Sequence, residues 1–219
     1  IMELLLNKGA KVKETDSFCP LCIAAENGDT DIVELLLRTG NFKLIRKYKK
    51  TALHFAAEKG HADVVKSLLD NDTFTNAYNI NQVVGSYKES VLSLAAQNSH
   101  VDVVRLLLDY GADPGDVNML YNIIQDPFRF FKGCYGSRRL EIADLLLEHG
   151  ANANQVVFDR MTLLDFAVKR RDEGFLRLLK KHGVDISLVD KKLLSQCLHD
   201  AMSHDYNASL AGLLLEHGV

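Results

Sequence analysis

TALHFAAEKGHADVVKSLLD, residues Thr51–Asp70, decides how the rest of the chain is read. It holds two short apolar segments on either side of Gly60-His61. In the first, Thr51 stands three residues before His54, the spacing of a helix N-cap and its partner. Ala52, Ala56 and Ala57 are small where a second helix must come close. In the second segment Val64, Val65, Leu68 and Leu69 follow the i, i+1, i+4, i+5 spacing of one helix face. The stretch therefore reads as two short helices packed side by side.

The same two marks return along the chain. The opening mark recurs as Cys19-Pro20-Leu21-Cys22-Ile23-Ala24-Ala25, as Ser90-Val91-Leu92-Ser93-Leu94-Ala95-Ala96 and as Thr162-Leu163-Leu164-Asp165-Phe166-Ala167-Val168. The closing mark is a leucine run with a glycine three or four positions beyond it: Leu6…Gly9, Leu37…Gly40, Leu108…Gly111, Leu147…Gly150, Leu179…Gly183 and Leu215…Gly218. A glycine there suits the left-handed residue that ends a helix. Leu68-Leu69 has Asp72 where that glycine belongs. The runs are 31 to 39 residues apart, a period that signals a stacked repeat.

These marks resemble the ankyrin repeat: about 33 residues, a Thr-Pro-Leu-His-x-Ala signature, two antiparallel helices and a hairpin-like connection. The resemblance runs over the whole chain. It implies an all-α ankyrin-repeat solenoid in one domain, 1–219, with units near 1–15 (partial), 16–47, 48–86, 87–118, 119–158, 159–190 and 191–219. In the family the first and fourth signature residues bond to each other. Thr51/His54 keeps that pair, Ser90/Ser93 and Thr162/Asp165 substitute for it, and Cys19/Cys22 can do so only weakly. The second unit is therefore expected to rest more on packing than on its cap.

Two insertions break the period. Residues 73–85 lengthen the hairpin after Leu69, and residues 126–139 separate a predicted inner helix, Met119–Gln125, from an outer one, Leu140–Glu148. Insertions in repeat arrays map to loops on one face and often bind. At both ends a leucine run lies without the polar face that closes such an array, so further repeats or another domain are expected to flank the chain, present as a single copy within it.

Composition removes several function classes. The 219 residues carry 26 Lys+Arg against 29 Asp+Glu, a net charge of −3, with 47% apolar and 25% charged residues. That is a folded chain with no global attraction to nucleic acid or acidic membranes. No apolar run reaches the length of a membrane span. The four cysteines, Cys19, Cys22, Cys134 and Cys197, are too scattered for a secreted disulfide framework. Reduced thiols in an intracellular, cytoplasmic setting are expected.

Chemistry has little to work with. Cys19-x-x-Cys22 has the form of a zinc or redox site but no second ligand pair and no βαβ setting, so its cysteines are read as structural. His54, His61, His100, His149, His182 and His217 all occupy repeat positions, and His199 and His204 are five apart, a poor metal pair on a helix. Gly133-Cys134-Tyr135-Gly136 is not followed by the Lys-Ser/Thr of a phosphate loop. No catalytic residue, cofactor or metal is expected, and the chain is read as not an enzyme.

What remains is recognition of a protein partner. The resemblance implies a concave surface of hairpin tips and inner-helix ends. Position by position it offers Thr15, Asp16, Phe18, Glu26 and Asn27; Lys47, Tyr48, Lys50, Glu58 and Lys59; Ser86, Tyr87, Glu89, Gln97 and Asn98; and Phe158, Asp159, Met161, Lys169 and Arg170. Phe18, Tyr48, Tyr87, Phe158 and Met161 are anchors of the kind enriched in interfaces, or else pack on the neighbouring hairpin. Lys43, Arg46, Lys47, Lys49 and Lys50 form a basic tip suited to an acidic or phosphorylated partner, or to solvent. The insertion 126–139 mixes Phe128, Phe130, Phe131 and Tyr135 with Arg129, Lys132, Arg138 and Arg139. It is read first as self-anchoring, then as a protein contact, and last as a single-strand nucleic-acid site. The resemblance also implies Asn154 as an asparagine open to hydroxylation. A regulatory or substrate-recruiting arm of a larger enzyme or pathogen effector is the second reading, and anion binding through 43–50 the third.

Overall fold

The computed structural model describes residues 19–40, 50–85, 89–115, 119–120, 137–154, 156–158, 161–185 and 189, with Lys192, Leu193, Ser195, His199 and Gly212 beyond them. The chain falls into two compact units, Ile1–Asp113 and Pro114–Val219.

The first unit contains α1 (Pro20–Asn27), α2 (Thr30–Thr39), α3 (Ala52–Lys59), α4 (Ala62–Leu69), α5 (Asp72–Ala77), α6 (Val91–Gln97) and α7 (Val101–Asp109). The inner helices α1, α3 and α6 pack on one another in that order, and the outer helices α2, α4 and α7 do the same. Close approach of the inner helices is possible because Ala24, Ala25, Ala56, Ala57, Ala95 and Ala96 lie at the contacts, all of them buried. On the outer helices Val64, Val65, Leu68 and Leu69 are buried as their spacing predicts. Val103, Val104, Leu107 and Leu108 repeat the pattern. Each such side chain contributes about 1.5–3 kcal/mol when fully buried.

Asp72, standing where a glycine is expected, changes the chain's course. Helix α4 ends at Asp70 in right-handed backbone, and Asn71 then caps α5 by accepting a bond from Phe74 N at 3.0 Å. The insertion at 73–85 is therefore not simply a longer hairpin. It begins as a helix whose Phe74 is fully buried, with the Tyr78 ring 5.4 Å away and His54 edge-on to Tyr78 at 6.1 Å. The chain then turns back, and Val84 and Glu89 exchange backbone hydrogen bonds of 2.8 and 2.9 Å.

The second unit contains α8 (Ser137–Glu148), β1 (Val156–Phe158), β2 (Met161–Thr162), α9 (Leu163–Arg170) and α10 (Glu173–Lys181). The strands form an antiparallel finger, Val156 opposite Thr162 and Phe158 opposite Met161. Helix α10 packs on both α9 and α8; Phe175, Leu176, Leu178 and Leu179 are buried on it, as are Ile142 and Leu146 on α8. The outer helix begins at Ser137 rather than the expected Leu140, so the last three residues of the predicted loop 126–139 are helical. The rest of that insertion and the final unit, apart from the residues named above, lie outside the described residues. The fold class is that of an all-α repeat solenoid with small hairpin fingers.

Candidate recognition surface

Caps fix where each inner helix starts and so where its far end points. Thr51 N and Thr51 Oγ1 lie 3.3 and 2.9 Å from His54 Nδ1. Ser90 N donates to Ser93 Oγ at 2.9 Å and Ser93 N to Ser90 Oγ at 3.0 Å. Thr162 N and Oγ1 both donate to Asp165 Oδ2, and Asp165 N returns a bond to Thr162 Oγ1. All three expected pairs form. Cys19 and Cys22 depart from expectation: they are joined as a disulfide, with Cα atoms 5.2 Å apart. The N-cap and third helical residue of a capped helix face each other, so C-x-x-C at these positions brings the two sulfurs together. The expectation of reduced thiols is corrected for this pair.

At the opposite ends of the inner helices, histidines tie one repeat to the one before. His61 Nε2 lies 3.1 Å from the Glu26 carbonyl, and His100 Nε2 lies 3.0 Å from the Glu58 carbonyl. Room for the rings comes from glycine. A Cβ on Gly28 (φ +80°) would meet His61 at 2.6 Å, and one on Gly60 (φ +81°) would meet His100 closer still. These bonds set the C-terminal ends of α1, α3 and α6 side by side. There Asn27 and Lys59 are exposed, while Glu26, Glu58, Gln97 and Asn98 are half-buried.

Several of the predicted contact residues are already engaged. Lys50 Nζ donates to Glu58 Oε2 at 2.7 Å, with both side chains about three-quarters or two-thirds covered (22% and 33% exposed). Asn98 Nδ2 donates to its own helix at Leu94 O, and Glu89 spends its backbone on Val84. In the second unit Met161 is half-buried in β2 of the finger, and Lys169 and Arg170 are exposed in the last turn of α9. Phe158 sits in β1. Asn154 is exposed in a turn whose Asn152 Oδ1 accepts the Asn154 N–H at 3.0 Å. Thr15, Asp16, Phe18, Lys47, Tyr48, Ser86, Tyr87 and Asp159 lie outside the described residues, as do Lys43, Arg46 and Lys49.

Sequence reasoning overlooked two exposed apolar side chains on the fingers, Val83 (50% exposed) and Val156 (59%). Val83 was signalled by strand alternation, since its neighbour Val84 points inward and is buried. Arg139, counted among the basic loop residues, instead donates from Nη1 to Asp172 Oδ2 at 2.6 Å, both side chains largely covered.

Charge perturbation gathers at three groups. Burial opposes ionisation of Asp144, but bonds from Lys181 and His182 outweigh it and hold the carboxyl below its ordinary 3.8. The contacts are 2.7 Å from Lys181 Nζ and 2.6 Å from His182 Nε2. Lys181 is raised in turn by Asp144. Tyr110, whose hydroxyl donates to Asp70, is raised above 10.0 by that bond first and by burial and the Asp70 charge after it. All three serve joints between helices. Among the described residues no group of three or more His, Cys, Asp or Glu is placed to hold a metal, and no helix is long and apolar enough to cross a membrane.

Comparison with known proteins adds an outside measure. The family described as Ankyrin repeats (3 copies) matches residues 1–79 and 21–118, together more than half of the chain. A bovine protein named Dynein axonemal heavy chain 12 is 28% identical over 241 aligned residues, covering 95% of this chain. A putative ankyrin repeat protein of fowlpox virus (strain NVSL) is 33% identical over 84 residues, 37% of this chain. An ankyrin repeat and KH domain-containing protein of Caenorhabditis briggsae is 37% identical over 84 residues, 36% of this chain. The chain spans 66%, 13% and 3% of these three relatives.

Proposed function

Because the chain belongs to the ankyrin-repeat family, whose repeats are generally protein–protein interaction modules, we propose that it is a non-catalytic scaffold holding a protein partner across its inner-helix ends and fingers. The observation that carries this reading is the alignment of α1, α3 and α6 by the His61 and His100 bonds. The exposed Asn27 and Lys59 lie in this row of helix ends, in which Glu58 is paired with Lys50. A fixed row loses little conformational entropy on binding. The surface of the first unit includes Glu26, Gln97 and Asn98, and the second unit carries its own candidate patch of Met161, Lys169 and Arg170.

The test is affinity for a partner isolated with the wild-type chain. Asn27→Arg with Lys59→Glu changes two exposed side chains without touching the core. A drop of about tenfold or more in affinity, about 1.4 kcal/mol, with unchanged melting, supports the reading. Unchanged affinity moves the site to the fingers, where Val83→Asp and Val156→Asp are the next variants.

A second reading is that the array is the regulatory or recruiting arm of a larger multidomain protein. What favours it is that the matched repeats make up only 13% and 3% of two relatives. A catalytic domain fused to the same array in the full-length protein, with activity altered by the array's partner, would establish it.

A further inference from the structure

The second repeat solves its capping problem with a covalent bond. At the N-cap and third helical position, α3, α6 and α9 use hydrogen-bonded pairs, and α1 uses Cys19 and Cys22. Both cysteines are 1% exposed, and the Cys22 N–H donates to Cys19 Sγ at 3.2 Å. Pro20 occupies the first helical position, where its fixed φ suits a helix start.

We propose that Cys19–Cys22 is a thiol–disulfide exchange site, its substrate a small dithiol reductant, and that its state sets the order of α1. A bridge closing so short a loop constrains little of the unfolded chain, so its effect is local. Helix α1 has only eight residues, and the same helix ends in Glu26 and Asn27. A change in its first turn therefore reaches the recognition surface.

The exchange balances as follows. One thiolate of the dithiol attacks Cys22 Sγ, the Cys19–Cys22 S–S bond breaks, and Cys19 leaves as a thiolate. The Cys22 N–H and the helix N-terminus favour that anion, which then takes a proton. The second thiol of the reductant attacks its own sulfur in the mixed disulfide, releasing Cys22 as a thiol and closing the reductant into a cyclic disulfide. The bridge supplies two sulfurs that are reduced, and the dithiol supplies two that are oxidised. A low-molecular-weight disulfide runs the sequence in reverse. Burial of both sulfurs means that attack waits on fraying of the first turn. Once the bridge is cut, two thiols replace the bond, and thiols are weak donors and acceptors.

The full chain, equilibrated with dithiothreitol or with its oxidised form, tests this by differential alkylation and hydrogen exchange. Cys19 and Cys22 should be blocked to alkylation when oxidised and open together after reduction. Amide exchange across 22–28 should rise about tenfold on reduction. Cys19→Ser with Cys22→Ser installs the pair that α6 already uses as Ser90/Ser93. Its exchange across 22–28 should be low and the same in both buffers. Alkylation of Cys19 and Cys22 under oxidising conditions, or equal exchange in both redox states of the wild-type chain, overturns the proposal. Neither result bears on the partner surface, which the Asn27/Lys59 variants test separately.

Discussion

The two units join neighbouring repeats by different chemistry. In the first, the residue just before the outer helices α4 and α7 is a histidine that reaches back to a carbonyl, His61 to Glu26 and His100 to Glu58. In the second, that position is Asp172, which caps α10 through Phe175 N at 3.1 Å and also grips Arg139. Further along, Lys181 and His182 grip Asp144. The first unit thus relies on imidazole–carbonyl contacts seated on glycine, with Tyr110 bonded to Asp70 beside them, and the second on ion pairs. The residue before that position is left-handed in both units, Gly60 (φ +81°) and Ser99 (φ 65°) in the first and Arg171 (φ 56°) in the second, but of these three only at Gly60 does a neighbouring ring, that of His100, fill the space of a Cβ. A repeat family can keep one geometry while exchanging the interaction that maintains it.

The largest effect should come from Asp172→Ala, which removes a cap and the largely covered ion pair with Arg139. A loss of about 3 kcal/mol in urea unfolding is expected. A loss below about 1 kcal/mol would show that the charge joint is ornamental. Next is Gly60→Ala, which forces a Cβ into the His100 ring in left-handed backbone and should cost about 2–3 kcal/mol. Arg171→Gly should instead be neutral or slightly stabilising; equal costs for the two substitutions would erase the contrast between the units. His100→Ala is expected to cost about 1–2 kcal/mol and to raise amide exchange in both α3 and α7.

Smaller effects sharpen the picture. Ser99 carries the left-handed turn before His100 with φ 65°, and among the described residues its buried Oγ has no hydrogen-bond partner. Ser99→Gly should raise stability by about 1 kcal/mol, read as a higher melting temperature. Asp144 should make the second unit acid-sensitive. Its folded pKa lies below the ordinary 3.8, so its contribution is complete above that value and fades as pH falls through the lower one. Asp144→Asn should abolish the extra exchange that α8 and α10 gain on acidification. The cost at neutral pH should be below about 1 kcal/mol, since the joint is partly solvated.

Much of this architecture was legible in Thr51–Asp70. A cap at fixed spacing, alanines at a close contact and a two-by-two apolar face are local signals, and all three recur unchanged in the structure. What was not legible depends on distant partners or on weak local preference. Helix α5 has a Thr- and Asn-rich sequence of poor helical propensity and exists because Asn71 caps it and Phe74 is buried. Arg139 looked like a loop cation because Asp172 lies 33 residues away. The Lys50–Glu58 pair, eight apart, follows no helical period. On the recognition surface the sequence named positions from the repeat, but which of them are already engaged is a matter of three-dimensional neighbours. Cys19-x-x-Cys22 lacks the further ligands of a zinc site and the βαβ setting of a redox motif, yet its positions on the helix make the sulfurs each other's neighbours.

The histidine ties have a consequence for how the chain is made. They span 35 and 42 residues and join only adjacent repeats. A nascent chain leaving the ribosome needs no distant segment to complete such a bond. Each repeat can dock as soon as its own outer helix begins, so that synthesis and assembly advance together from the N-terminal side.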